Sequence, residues 1–300
     1  MDVNQTDSVV CFRHIACPLC QSDEFRVDRS TGRFTFGRCG ECNLAYVNPM
    51  PVLDHPSIEG SRSTVTDSHY NAMMLTDWEA QAAQARQMAP RRLEAYARLL
   101  GRPVESVIEI GCGSGAWGAA YQGKGIRYLG LDINGEMIDF ARSKGLQVEQ
   151  ADITAWAPAA PPRADVVFAS QVMEHCLSPH DFLSGISRAL RQDGLVHLDV
   201  PHNRGLIPSA KRMLRTPKSE YGFLQPYHHC IAYDKTTIRQ LMERHGRFET
   251  LIINTCSVLH PVWGKADARS GNLSLIARVA FSISGWMGGS VLVLLARRSQ

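Results

Sequence analysis

The chain has 300 residues, enough for one large domain or two unequal ones, and its 44% hydrophobic and 20% charged composition excludes a disordered or low-complexity protein. A formal net charge of +3 is too small to mark a nucleic-acid binder by itself, so any basic surface must be local. Residues 1–7 carry neither the basic region nor the apolar run of a secretory signal, and nine cysteines in such a chain point to a reducing, cytoplasmic setting.

Four of those cysteines form two pairs, Cys17-Pro-Leu-Cys20 and Cys39-Gly-Glu-Cys42, with 18 residues between them. Each pair places two thiolates on one turn, and two such knuckles joined by a hairpin complete a closed tetrahedral zinc site. The interval suits a hairpin, with short strands at 25–27 and 33–36 around Ser30-Thr31-Gly32. Four sulfurs leave no open position, so the metal is expected to be structural and to stabilise a module too small for its own core. A redox pair is the alternative reading. Residues 1–50 are thus a zinc ribbon, and 51–77, rich in proline, serine and aspartate near their start, a connector. Residues 78–100 favour helix, with Pro90 expected to divide them into two. Leu93, Tyr96, Ala97 and Leu100 then fall at core-facing helical spacing.

Residues 104–115 join a β-rich apolar run to Gly111, Gly113 and Gly115, which reads as a buried strand, a tight turn and a helix start. The N–H groups of a helix over 116–123 would aim back at that turn, a place for an anionic group of a cofactor. A second strand, 127–133, ends on Asp132, where a carboxylate can receive a ribose diol.

With these residues the chain resembles the class I, Rossmann-like S-adenosylmethionine-dependent methyltransferases, whose first motif looks like Glu109-Ile110-Gly111-Cys112-Gly113-Ser114-Gly115. A dinucleotide enzyme more often carries G-x-G-x-x-G, whereas here Trp117 stands two beyond Gly115. The cysteine pairs followed by Ala45-Tyr46-Val47-Asn48-Pro49-Met50-Pro51 also resemble a bacterial group in which a zinc ribbon precedes this domain, many of them in natural-product, sugar or polysaccharide pathways. The resemblance implies an α/β fold, with a seven-stranded, mostly parallel sheet whose last strand is antiparallel, over 78–300. It implies S-adenosylmethionine as cofactor, held by Glu109, Gly111, Cys112, Gly113, Gly115, Asp132 and Ile133. It places Asp152 and the Ile153 backbone at the adenine, although Asp152 also reads as a turn cap. Tyr70 is either a lid over the cofactor or an ordinary connector aromatic.

After Asp132, a helix over 136–144 ends at Gly145 and a third strand covers 146–150. A fourth strand, 164–169, leads into Gln171-Val172-Met173-Glu174-His175, beyond the strand ends where ligands of such sheets sit. Gln171 and His175 are pocket candidates. His175 suits a general base for an acceptor hydroxyl. By resemblance, Glu174-His175 is equally a structural pair, and in some relatives a Glu-x-x-Glu-His arrangement holds a divalent metal; Gln171 stands where the first Glu would be. A helix from Pro179 closes at Gln192-Asp193-Gly194, before a fifth strand at 195–201 in which His197 reads as a sheet histidine.

The insertion 203–227 carries Arg204, Lys211, Arg212, Arg215 and Lys218 with no acid before Glu220. It reads as a site for an anionic acceptor, a membrane surface or RNA, or as a solvated face. In resembling enzymes a histidine just before the next helix reaches the acceptor, so His228 and His229 compete with His175 as base. Strand six covers 248–256. Residues 279–296 carry no charge but are interrupted by glycines, and 291–295 looks like the seventh strand, so no transmembrane span is expected. Peripheral membrane contact by 273–283 stays open. The expected activity is methyl transfer to a hydroxyl, amine or carbon of a small-molecule or glycan acceptor. RNA methylation and a non-catalytic scaffold are the alternatives.

Overall fold

The computed structural model describes residues 9–32, 34–54, 75–159, 161–204, 209, 221–225, 229–256 and 291–298. Tyr70, His228, most of the basic insertion and the segment 273–283 lie outside them. In the N-terminal part, β1 (Val9–Arg13) pairs antiparallel with β5 (Met50–Asp54), so ordered pairing reaches into the span expected as connector. Between them lie β2 (Phe25–Thr31), β3 (Phe34–Cys39) and β4 (Ala45–Asn48), an antiparallel set that contains the expected hairpin.

Helix α1 (Trp78–Leu100) runs unbroken through Pro90. Proline removes one backbone bond, but Pro90 and Arg86 are both exposed, and on a solvent face water can replace the lost donor to the Arg86 carbonyl. The helix stops at Gly101, whose left-handed backbone returns its N–H to the Ala97 carbonyl. There follow β6 (Ser106–Ile110), α2 (Ala116–Gln122), β7 (Arg127–Asp132), α3 (Gly135–Ser143), β8 (Val148–Gln150) and β9 (Ala164–Ser170). Next come a 3₁₀ turn at Met173–His175, α4 (Pro179–Ala189) and β10 (Leu190–Pro201). The chain ends in β11 (Ile231–Ala232), α5 (Lys235–Gln240) with a π turn at Leu241–His245, β12 (Phe248–Cys256) and β13 (Val291–Arg298).

The main sheet has the order β12-β13-β10-β9-β6-β7-β8, in which β13 alone is antiparallel to its neighbours. This is the fold expected from the sequence. β10 starts earlier than the expected turn at 192–194 because Leu190 already pairs with Ala164, and the register shifts before Leu195 resumes against Val166. The central strands read as continuous apolar runs because both faces are covered. The second sheet, β11-β4-β3-β2, joins the two halves of the chain, since β11 adds a fourth strand to the ribbon.

Under α1 the core is polar. The Arg92 guanidinium, fully buried, lies 3.9 Å from the Trp117 ring centre and 4.7 Å from that of Phe168. Beside it the Tyr96 hydroxyl meets His197 Nδ1, and His197 Nε2 meets Asp199 Oδ1 at 2.8 Å. His197 is therefore a partnered sheet histidine. A second buried acid, Asp165, ties strand ends together. Its Oδ1 accepts from Arg102 and Arg191, both at 2.7 Å, and its Oδ2 from the N–H groups of Glu105 and Ser106 at 2.8 and 2.9 Å.

Burial raises the Asp165 pKa, but the hydrogen bonds from Arg102, Glu105 and Ser106 outweigh it and hold the carboxyl at about 2, below its ordinary 3.8. A depressed folded pKa gives stability that is present above the unfolded value and lost as pH falls through the folded one. The shift amounts to about 2 kcal/mol. In urea titrations, the stability gap between the wild type and Asp165→Asn should narrow by that amount as pH drops from about 4 to about 2. A pH-independent gap would show that Asp165 titrates alike in the folded and unfolded states, against the lowered folded value.

Candidate functional site

The turn after β6 is held closed by β7. The N–H groups of Gly111 and Cys112 both donate to the Leu131 carbonyl, at 2.7 and 3.1 Å. Gly111 and Gly115 have φ of 69° and 80°, and a Cβ would lie 2.3 Å from the Val172 side chain at the first and 2.2 Å from Leu146 at the second. Both positions demand glycine for conformation and for close approach. Gly113, at φ 52°, is different, for a Cβ there would meet nothing within 4 Å. Its bare backbone faces open space, as a turn that receives a cofactor requires.

Asp132 sits at the end of β7, where its Oδ2 accepts from Gly113 N–H at 2.8 Å and its Oδ1 from Asn134 N–H at 2.9 Å. Burial pushes its pKa up while these backbone donors pull it down, and the net direction is upward. Ile133 follows it, half-buried, and Asn134 caps α3 by accepting from the N–H groups of Glu136 and Met137. Glu109, almost fully buried, accepts from the Tyr128 hydroxyl at 2.7 Å. The Cys112 side chain is buried on the β7 side, with Sγ 2.8 Å from where a Gly130 Cβ would be, so only the Cys112 backbone is left to face a ligand. Trp78, at the start of α1, donates its indole N–H to the Ser114 carbonyl at 2.8 Å and so fixes the outer side of the turn.

Asp152 caps a local turn, its Oδ1 accepting from the N–H and the hydroxyl of Thr154, both at 2.8 Å. Ile153 is buried, with its carbonyl under α4 at Gly185. The turn reading of Asp152 is therefore realised, and the bonds from Thr154 fall on one of its two carboxylate oxygens.

Beyond β9, Gln171 adopts φ 58°, and its N–H donates to the Asp199 carbonyl at 2.7 Å, which turns the chain away from the sheet. Among the described residues, its side-chain amide nitrogen is buried with no hydrogen-bond partner. The 3₁₀ turn then presents Glu174, buried, and His175, half-buried. His229 comes to meet them from the far side of the insertion. Ligand atoms of Glu174, His175 and His229 all lie within 4.8 Å of one another, and the two imidazole rings stand edge to face with centres 4.7 Å apart. His229 Nδ1 lies 3.2 Å from the Phe223 carbonyl. A carbonyl accepts, so Nδ1 carries the proton and Nε2 is the basic nitrogen of the ring. Such a group can pass a proton or hold a divalent cation.

The four ribbon cysteines form the second cluster. Cys17 Sγ is 3.5 Å from Cys42 Sγ, and Cys20 Sγ is 3.4 Å from Cys39 Sγ. All four sulfurs lie within 4.8 Å of one another. Zn–S bonds of ~2.3 Å in a tetrahedron put sulfurs about 3.8 Å apart, which these distances fit. The Cys42 S–H donated to Cys17 draws the Cys17 thiol down to about 5, and keeping that proton pushes the Cys42 thiol up.

The sheet order, the glycine turn and the acid at the end of β7 define a Rossmann-like methyltransferase of class I. A family model described as a methyltransferase domain matches residues 80–247, and the chain belongs to that family. It is an S-adenosylmethionine-dependent methyltransferase. Among curated relatives, trans-aconitate 2-methyltransferase of Azoarcus sp. (strain BH72) is 36% identical over 202 residues, covering 56% of this chain and 76% of the relative. Ubiquinone biosynthesis O-methyltransferase of Klebsiella pneumoniae subsp. pneumoniae is 24% identical over 214 residues, covering 66% and 86%. Among solved structures, the plantazolicin methyltransferase BpumL in complex with SAH matches with a TM-score of 0.52 at 15% identity, over 78% of this chain and 91% of that one, a likeness of fold. Among the described residues, no helix is long and apolar enough to cross a membrane.

The sequence signalled the turn, Asp132 and the Glu174-His175 pair. It gave no sign of Trp78, which acts across the chain on Ser114, or of Tyr128 as the partner of Glu109. Burial pushes the Glu109 carboxyl up to about 8, against the Tyr128 hydroxyl and the Arg92 charge. The folded state thus keeps a proton that the unfolded chain releases above 4.5, and stability falls as pH climbs from there to about 8. Glu109→Gln keeps the hydrogen bond to Tyr128 and removes this loss. Denaturant midpoints taken from about pH 5 to about pH 8.5 should decline in the wild type relative to the variant, whereas parallel profiles would show Glu109 to be ionised in the folded state.

Proposed function

We propose that this enzyme methylates an oxygen of a small-molecule acceptor, with the Glu174–His175–His229 cluster on the acceptor side and His229 or His175 as general base. The observation that carries this reading is the meeting of Glu174, His175 and His229 within 4.8 Å, with His229 Nδ1 held 3.2 Å from the Phe223 carbonyl so that Nε2 is the basic nitrogen of the ring. A base of this form accepts the proton of a hydroxyl as the oxygen attacks. The relatives support a small acceptor, since one is named for trans-aconitate and the other for an O-methyl transfer of ubiquinone biosynthesis.

On the cofactor side, the Gly111–Gly115 turn, Asp132 with Ile133, and Asp152 with Ile153 are proposed to hold S-adenosylmethionine, which supplies a methyl group on an already activated sulfonium. The chain's part is then to align acceptor and methyl carbon, exclude water and take one proton. Glu109 supports the turn from below through Tyr128 rather than by reaching the ligand. Gln171, bent toward this crevice, is proposed to complete the pocket wall with its buried amide. The ribbon is proposed to carry one structural zinc on Cys17, Cys20, Cys39 and Cys42.

Single substitution of His229 or His175 by Gln should lower turnover by about 10²–10⁴-fold at whichever residue is the base. Affinity for S-adenosylhomocysteine, measured by calorimetry, should stay within about threefold. The acceptor screen would use trans-aconitate and catechols with methyl-labelled cofactor. Full activity in both variants removes histidine base catalysis, and activity lost only on chelating a second metal assigns the cluster to a cation instead. Elemental analysis should find one zinc per chain, and its removal should lower the unfolding temperature.

A further inference from the structure

We infer that the zinc ribbon is a positioning device for the acceptor side of the active site, because two ties that orient His229 are seated on its strand β4. This inference rests on the acceptor-side role proposed for His229.

The first tie is the backbone that follows His229. Val47 N–H, in β4, donates to the Cys230 carbonyl at 2.9 Å, and Ile231 and Ala232 continue the pairing against Tyr46 and Ala45. Among the described residues, β11 pairs with no other strand. The second tie is the hairpin that supplies the Phe223 carbonyl. Gln225 and His229 exchange both backbone hydrogen bonds at 3.0 Å, and His229 Nδ1 reaches back to Phe223. That hairpin stands on the ribbon, with Leu224 and Ala232 in one apolar cluster with Phe36, Ala45 and Val47, and the Tyr221 ring 6.0 Å from that of Phe36.

Strand periodicity links this to the cysteines. Successive β4 side chains alternate between faces. Ala45 and Val47 meet the hairpin, while Tyr46 points the other way into a core that holds Cys17, Leu19, Cys39, Cys230, Ile231 and Met173. Cys39 is the last residue of β3, and its N–H bonds the Leu44 carbonyl at 2.9 Å, so the second knuckle sets the β3–β4 hairpin. The first knuckle holds the other half of the cluster, since its Leu19 carbonyl lies 2.9 Å from His180 Nε2 at the start of α4, just past the 173–175 turn. A ribbon that only tethered a partner would need none of these bonds.

The test uses the full chain, before and after removal of its metal, and a metal-retaining variant, Leu224→Ala, that loosens the hairpin alone. Amide exchange at 229–233 should accelerate at least about tenfold on metal removal and in Leu224→Ala, while residues 106–115 keep their protection. Nitrogen-15 spectra of His229 should change from the Nδ1–H tautomer to the mixture of a free imidazole. Calorimetric affinity for S-adenosylhomocysteine should hold within about threefold throughout. Unchanged exchange and tautomer at His229, with the ribbon itself exchanging fast, would overturn the inference. An intact chain that binds no S-adenosylhomocysteine would instead sink the proposed activity, whatever His229 does.

Discussion

The Asp132 carboxylate joins two backbone turns that would otherwise be independent. One oxygen takes an N–H from the turn after β6 and the other from the turn after β7, so two parallel strands end in a fixed relation. Each oxygen keeps further acceptor capacity, because a carboxylate has about four lone-pair sites. The same group can thus order the protein and still receive a diol. The Leu131 carbonyl, taking two N–H groups from the turn, and Trp78, capping Ser114 from outside, complete the enclosure. These bonds are all within the protein, and they fix the turn through its own backbone.

Residues near in sequence made most of this legible. Three glycines two apart, apolar runs of strand length and an acid at a strand end are local patterns, and the family resemblance they carry implied a mostly parallel sheet with its last strand antiparallel, while the strand order came only from the structure. Two boundaries expected from the sequence differ in the structure for physical reasons. Pro90 does not divide α1 because its face is wet, and β10 begins at Leu190 because that side chain is buried against the sheet before the bend at Gly194. The meeting of His229 with Glu174 and His175 was only half legible. Both histidines stood out as polar groups beside turns, but their approach depends on a two-residue strand, too short to leave a periodic signal, that pairs with a segment near the other end of the chain. The ribbon cysteines were legible as a set because metal ligation imposes spacing, whereas the apolar contact of Phe36 with Leu224 imposes none.

Buried charge is handled in two ways around β9, the strand that carries Asp165 and Phe168. Asp165 is ionised and surrounded by donors, with Arg102 and Arg191 reaching it from partly exposed positions. Arg92 is a cation wholly within the core, between two aromatic faces that offer it electron density where water would have been. Such burial is costly, and replacing ionic groups with apolar ones often raises stability. What the arrangement provides is a fixed seat for α1 over β9 and β10, and hence for Trp78 at the far end of the same helix. The polar core and the cofactor turn are mechanically one unit.

The position of β13 has a consequence for biosynthesis. It follows β12 in the chain, yet it lies between β12 and β10, bonded to both. While a ribosome is still making the segment that precedes it, β10 presents an open edge of buried-type residues and β12 has no strand to join. The nascent domain is then an incomplete sheet with a gap at an internal position, which no earlier strand can fill without a change of direction. Open apolar edges recruit other chains. The main sheet therefore closes only when β13 has been made, whatever order its other strands fold in.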